Sequence, residues 1–327
     1  MDALLKRMPN SLRELPVAVV MGGHSIERDF SLRSGRHIVS ALENLGMEVH
    51  ALEYDKNLKH ELDLKNITLC LLATHGVPGE DGKLQGYLES IDRYYSGASV
   101  AGSALAMNKI AAKAILKSHN IKTPNWLWLD RDAPLEDLAS ATAYKIGFPL
   151  VIKPTFGGSS IGVRLVKDLI ELRTALAELF SEHHHLFVEE YIEGRELTVS
   201  TLEDPKGRPF TLPIMELQSK NLFYDFESKW SGGAMEFKVP AEIEEGLAQG
   251  ISEVAIKIHK VLMQRDHSRS DFILNNKNEL YYLETNSIPG LTENSDLPAQ
   301  AKAAGMTFEE VVISVLMGPY RRLTHDG

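Results

Sequence analysis

Cysteine is almost absent: Cys70 is alone in 327 residues, so no internal disulfide can form and nothing points to an oxidising compartment. Positive charge is in deficit, with 35 Lys and Arg against 45 Asp and Glu and a net charge of -10. A chain this acidic is poorly suited to coating nucleic acid, although local basic sites for a small phosphate ligand remain open. Long apolar runs are missing too, since none approaches the ~18–20 residues that span a bilayer. The first apolar stretch, Leu15 to Met21, runs into Gly22-Gly23 without a small-residue cleavage site and reads as a strand rather than a secretory signal. Internal repeats and low-complexity tracts are absent as well. What is present is a 43% hydrophobic, 24% charged composition, that of a globular protein of two or three packed units. The expectation is a cytoplasmic protein with no membrane and no nucleic-acid partner.

The first third alternates strand-like and helix-like segments. Strands are expected at Pro16–Met21, Met47–Tyr54 and Ile67–Ala73, with a helix over Ser31–Leu45. Glycine turns at strand ends suggest an open, doubly wound parallel sheet, which gathers ligands at the carboxyl ends of its strands; Gly22–Glu27 and His75–Gly82 fall there. One helix is expected over Ala104–His119, ending before Pro124. Further on, strands are expected at Phe148–Lys153, Leu186–Glu190, Leu197–Leu202, Phe237–Val239, Phe272–Leu274 and Leu280–Glu284. Helices are expected at Asp168–Phe180 and Ala241–Met263. His183-His184-His185 reads as a turn, because three neighbours cannot all face one ion from a regular element.

Three segments carry chemistry. Lys153-Pro154-Thr155-Phe156-Gly157-Gly158-Ser159-Ser160-Ile161-Gly162 can converge backbone N–H groups and one ammonium on an anionic oxygen, or can be a plain flexible hairpin; it is not a Walker loop. Arg269-Ser270-Asp271 with Glu284-Thr285-Asn286 offers three oxygen ligands suited to Mg²⁺, or merely two acids at strand ends. Asn286 to Ser295 holds a Pro289-Gly290 step that brings backbone N–H groups close to whatever the metal ligands hold, as suits an oxyanion, though alone it is an ordinary turn.

Taken in order, these pieces resemble the D-alanine–D-alanine ligases of the ATP-grasp superfamily. The matching residues are Gly22-Gly23-x-Ser25-x-Glu27, His75-Gly76-x-x-Gly79-Glu80-Asp81-Gly82-x-Leu84-Gln85-Gly86 and Ser103 to Lys109. They continue with Lys153-Pro154…Gly158-Ser159-Ser160-x-Gly162, Glu189-Glu190-x-Ile192-x-Gly194-x-Glu196, Arg269-x-Asp271 and Glu284-x-Asn286-x-x-Pro289-Gly290-x-Thr292-x-x-Ser295. The resemblance implies an α/β and α+β chain, an ATP-grasp fold preceded by an N-terminal doubly wound parallel-sheet domain. The implied domains are residues 1–108, a central lid over 109–194 and a catalytic domain over 195–327. It implies ATP-dependent joining of two D-alanines through an acyl phosphate, for peptidoglycan precursors, in a homodimer that uses Mg²⁺ or Mn²⁺, two ions. The alternative is a relative that joins D-alanine or another amino acid to D-lactate, D-serine or another nucleophile.

Residue by residue, Glu27 matches the acid that orients the first ammonium, and His75 a histidine lining the substrate pocket. Lys109 and Lys153 match the lysines on the nucleotide phosphates, with Ser159 and Ser160 in the phosphate loop. Glu189 matches the acid near the adenine amino group, Ile192 its backbone partner and Glu196 the ribose acceptor. Lys229 resembles a lysine that a loop over Asn221–Pro240 brings onto the γ-phosphate. Arg269 and the Gly290 N–H match the oxyanion partners, Ser295 the contact for the second carboxylate, and Asp271, Glu284 and Asn286 the metal ligands. Two departures stand out: Asn108 precedes Lys109 where an aspartate is usual, and Trp230 follows Lys229 where a tyrosine latch is usual. Indole donates but does not accept a hydrogen bond, so Trp230 bears on loop closure and the choice of second substrate.

Overall fold

The computed structural model describes residues 8–158, 161–219, 235–292 and 295–326. Helix α1 (Asn10–Arg13) leads into β1 (Val17–Met21), α2 (Arg28–Asn44), β2 (Val49–Glu53), α3 (Leu58–Leu64), β3 (Leu69–Leu72), α4 (Lys83–Ser90) and β4 (Tyr94–Tyr95). The strands pair in parallel in the order β2-β1-β3-β4. Strands β1 and β3 are buried along their whole length, which explains their unbroken apolar runs. Their carboxyl ends release the Gly22–Glu27 and His75–Gly82 loops on one side of the sheet.

The continuous helix expected over Ala104–His119 is instead two, α5 (Val100–Met107) and α6 (Lys109–Ser118), broken at Asn108. Asn108 sits at φ -89°, ψ 93°, and its Oδ1 accepts from Ala111 N at 3.0 Å, capping α6. An aspartate would cap equally well, so the departure at this position keeps the local geometry. The break also sets Lys109 at the first position of α6.

A second sheet is built from β5 (Trp126–Leu129), β6 (Leu150–Pro154), β7 (Arg164–Val166) and β8 (Leu186–Glu190), antiparallel in the order β5-β8-β6-β7. Helices α7 (Leu135–Ile146) and α8 (Leu169–Glu182) cover it, and the three histidines form the turn from α8 to β8. The third sheet holds β9 (Gly194–Glu203), β10 (Pro209–Thr211), β11 (Met215–Ser219), β12 (Met235–Lys238), β13 (His267–Asn275) and β14 (Leu280–Asn286). Its order is β12-β11-β9-β13-β14, with β10 on β9. Helix α9 (Glu245–Val261) and α6 pack beneath it around Leu197, Val199, Phe272 and Tyr282.

Helices α10 (Asp296–Ala303) and α11 (Phe308–Asp326) end the chain. Val311 to Met317 of α11 share one core with Val17, Val19, Leu69 and Leu71 of the first sheet. Each fully buried aliphatic side chain there contributes about 1.5–3 kcal/mol. Among the described residues, no helix is long and apolar enough to cross a membrane.

Candidate active site

A cleft of about 610 Å³ runs between the second and third sheets, and Lys109, Lys153, Glu189, Arg269, Asp271 and Glu284 all line it. Ile192 and Glu196 line it too, at the crossing from β8 to β9, together with Gly157 and Gly158 of the glycine-rich loop.

The acidic end owes its geometry to a register irregularity. Asp271 pairs with Glu284, and Phe272 with Tyr282, so Leu283 is skipped. Leu280 and Tyr282 therefore point into the core with Phe272 and Leu274. Beyond the bulge, Glu284 turns to the cleft beside Asp271. Arg269 and Asn286 form the neighbouring pair in register, while Ser270 and Thr285 bond each other on the opposite face at 3.0 Å.

Arg269 Nε donates to Asp271 Oδ1 at 3.0 Å and Nη2 to Oδ2 at 2.9 Å; Nη1 pairs with Asp296 at 3.0 Å. Burial opposes the guanidinium charge, but Asp271 and Asp296 outweigh it and hold the group above its usual range. Thr198 Oγ1 donates to Asp271 at 2.6 Å. Lys109 Nζ reaches Glu284 at 3.1 Å and donates to the Gly157 carbonyl at 2.5 Å, tying α6 to both the acids and the glycine-rich loop.

At the other end, Glu189 is 2% exposed and lies between two ammonium groups, Lys153 at 2.6 Å and Lys113 at 2.8 Å. Burial would raise its pKa, yet the two lysines outweigh burial and hold the carboxyl below the usual range. The glutamate expected near an adenine amino group is thus engaged by the phosphate-side lysine.

A second cluster adjoins the cleft at the strand ends of the first sheet. Glu27 is the N-cap residue of α2, yet its side chain makes no capping bond. Its Oε2 would stand 2.7 Å from a Cβ on Gly76 and 3.9 Å from one on Gly158, so both glycine loops close over this carboxylate. Gly76 also has φ +67°, and a side chain there would strike Ser25 Oγ at 2.4 Å. The His75 ring centre lies 4.6 Å from that of Phe30, the two rings tilted by 49°, and His75 meets Ser34 Oγ at 3.3 Å. Burial, then the charges of Arg269 and His267, push its pKa down to about 3, so the ring is neutral at ordinary pH. A Cβ on Gly290 would collide with Phe30 at 2.6 Å and with Ser295 Oγ at 2.8 Å. Gly290, Ser295 and His75 are thereby gathered around Phe30, with Glu27 beside the adjoining Gly76.

Ser159, Ser160, Lys229 and Trp230, with most of the Asn221–Pro240 loop, lie outside the described residues. Among the described residues no three His, Cys, Asp or Glu side chains are arranged to hold a metal ion. The expected set is different in kind, two carboxylates and one amide, with Asp271 facing Glu284 and Asn286 the next residue of that strand face. All three are hard oxygen donors, and the carboxylates already attract Lys109 and Arg269, so the chemistry of the set fits a magnesium-type cation. Sequence reasoning missed Lys113, Phe30 and Asp296 as site components, and treated Glu80 only as a motif position. Glu80 is buried, accepting from Gly76 N at 2.6 Å and Ile288 N at 3.3 Å, and so joins the two loops that frame the second cluster.

Known proteins are similar to this chain over most of its length. Residues 115–317 match the family model described as D-ala D-ala ligase C-terminus. A D-alanine–D-alanine ligase of Carboxydothermus hydrogenoformans is 40% identical over 93% of this chain and 97% of its own. A solved D-alanine–D-alanine ligase from Bacillus anthracis superposes with TM-score 0.82 at 30% identity, covering 96% of this chain and all (100%) of that one. The same enzyme complexed with ATP gives 0.80 at 31% identity, covering 96% of this chain and 99% of that one. The ATP-grasp architecture and the ordered motifs have one account: the chain belongs to the D-alanine–D-alanine ligase family.

Proposed function

We propose that the protein joins two D-alanines at the expense of ATP, giving D-alanyl-D-alanine for cell-wall precursors. The observation that carries the reading is the single cleft in which Lys109, Lys153, Glu189, Arg269, Asp271 and Glu284 converge beside the Glu27–His75–Ser295 cluster. In this reading the carboxylate of the first D-alanine attacks the γ-phosphorus, and ADP departs. The amine of the second then attacks the acyl carbon, phosphate leaves, and the amine sheds its proton.

Each residue group has a part. Glu27 pairs with the first ammonium, and neutral His75 packs beside it without competing for that carboxylate. Lys109 and Lys153 neutralise nucleotide phosphates, with Ser159, Ser160 and Lys229 assigned there from their motif positions. Glu189, the Ile192 backbone and Glu196 hold adenine and ribose. Arg269 and the Gly290 N–H face the oxyanion of the tetrahedral intermediate, and Ser295 faces the second carboxylate. Asp271, Glu284 and Asn286 would hold Mg²⁺ or Mn²⁺, two ions, which when bound supply charge neutralisation at the phosphate oxygens. We assign residues 1–108, 109–194 and 195–327 as the three domains, while α6 and α11 pack across those divisions. A homodimer in the cytoplasm completes the proposal.

The test is ADP and phosphate release with product analysis, using D-alanine alone and with D-lactate or D-serine added. D-alanyl-D-alanine as the main product supports the reading. A preference for D-lactate, or no dipeptide, rejects it in favour of another nucleophile. Trp230→Tyr belongs in the same experiment, with an altered rate or KM for the second D-alanine but the same product expected.

A further inference from the structure

Lys113 is the one residue of the charged cluster at Glu189 with no exposure to the cleft: its side chain is 0% exposed, against 15% for Lys153. It stands one helical turn after Lys109 on α6, so both ammonium groups project from the same face of one short helix. Lys109 meets Glu284 at the acidic end of the cleft, and Lys113 meets Glu189 at the other. Lys113 is held from behind as well, donating to Thr123 Oγ1 at 2.9 Å and to the Tyr282 carbonyl at 3.3 Å. These anchors fix the ammonium in place and keep it from reaching a ligand in the cleft.

Burial disfavours its charge, Glu189 restores part of that, and Lys153 repels it, leaving the ammonium below its ordinary range. So costly an arrangement calls for a reason. Lys153 bonds Glu189 at 2.6 Å, although the two residues are assigned to opposite ends of one nucleotide. When Lys153 turns to the phosphates, Glu189 keeps a counter-charge only if a second cation stays behind.

We propose that Lys113 is a positioning residue for adenine recognition: it holds the Glu189 carboxylate ionised and aimed at the 6-amino group, freeing Lys153 for the phosphates. The inference rests on the nucleotide assignment made above and deepens it. Lys113 acts through Glu189 and does not touch substrate.

The experiment is calorimetric titration of ATP and of ITP, which lacks the 6-amino group, into the full chain without D-alanine. Lys113→Met is expected to weaken ATP about tenfold or more, the scale of a hydrogen bond to a charged group, and to weaken ITP less. Lys113→Arg keeps the charge and should restore most of the ATP affinity. The KM for D-alanine should not move. In a Glu189→Gln background, Lys113→Met should change ATP affinity no further, because the carboxylate through which it acts is gone. Unchanged ATP affinity in Lys113→Met overturns the proposal, as does an equal loss in both backgrounds, which marks a scaffold role. If Lys113→Met does not fold, the double variant against Glu189→Gln decides. Equal ATP affinity supports the proposal, and failure of the double variant to fold overturns it. Absence of ATP binding by the unaltered protein would instead overturn the nucleotide assignment, and this inference with it.

Discussion

Asp271 and Glu284 stand opposite each other in the register of β13 and β14, and each is met by a cation, Arg269 at 2.9 Å and Lys109 at 3.1 Å. Two carboxylates on neighbouring strands repel one another, and the two cations offset that repulsion. In the proposed reaction these acids exchange their cation partners for a divalent ion.

Asp271→Asn and Glu284→Gln should each shift the Mg²⁺ titration of ATP turnover to higher concentration and lower the rate at saturation. The amide keeps the shape and removes the charge that a hard cation requires. An unchanged titration curve and rate would show that these acids only terminate strands.

Arg269→Ala should abolish turnover while ATP still binds. In the proposed reaction the guanidinium faces the developing oxyanion, where one such donor contributes about 3–4 kcal/mol to the transition state. Its removal leaves Asp271 and Asp296 without their common partner, so the thermal midpoint should fall as well. Turnover near that of the unaltered protein would remove Arg269 from the reaction.

The parts of this site that depend on local pattern were readable in the sequence. Buried parallel strands are unbroken apolar runs, so β1 and β3 announced themselves, and the loops leaving them carried Glu27 and His75 to one side. What depends on distant partners was not. The stop at Asn108 interrupts a run of good helix formers, and only the capping bond to Ala111 shows why it ends there. The bulge at Leu283 changes the face on which side chains appear, so simple alternation along β14 places Tyr282 and Glu284 together when they point apart. Lys113 reads as a solvated helix position until Glu189 is brought to it from 76 residues away along the chain. Val311 to Met317 has no polar interruption except Ser314, because α11 is enclosed by the first sheet and its flanking helix.

Glu80 supplies a pH-dependent test. Burial, reinforced by the nearby charge of Glu27, pushes its carboxyl up to about 8 from an ordinary value of 4.5, against the pull of the Gly76 and Ile288 N–H groups and of Arg269. Between those two values the folded chain holds a proton that the unfolded chain releases. The contribution of Glu80 to stability is therefore complete below about 4.5 and is lost as pH rises through about 8. Glu80→Gln removes the titration but leaves one carbonyl oxygen where two oxygens served. With that oxygen on Gly76, the new amide NH2 faces the Ile288 N–H, which keeps its bond to Asn286 Oδ1 at 3.0 Å, and the buried, opposed donor costs about 1–3 kcal/mol. Scanning calorimetry of the ligand-free protein should accordingly find the unaltered chain ahead of the variant in acid. That lead should shrink as the pH is raised through the window. A difference in midpoint that stays constant from acid to alkaline pH would show that Glu80 is already ionised in the folded protein and that the junction between the His75 loop and Ile288 is held by an ordinary carboxylate.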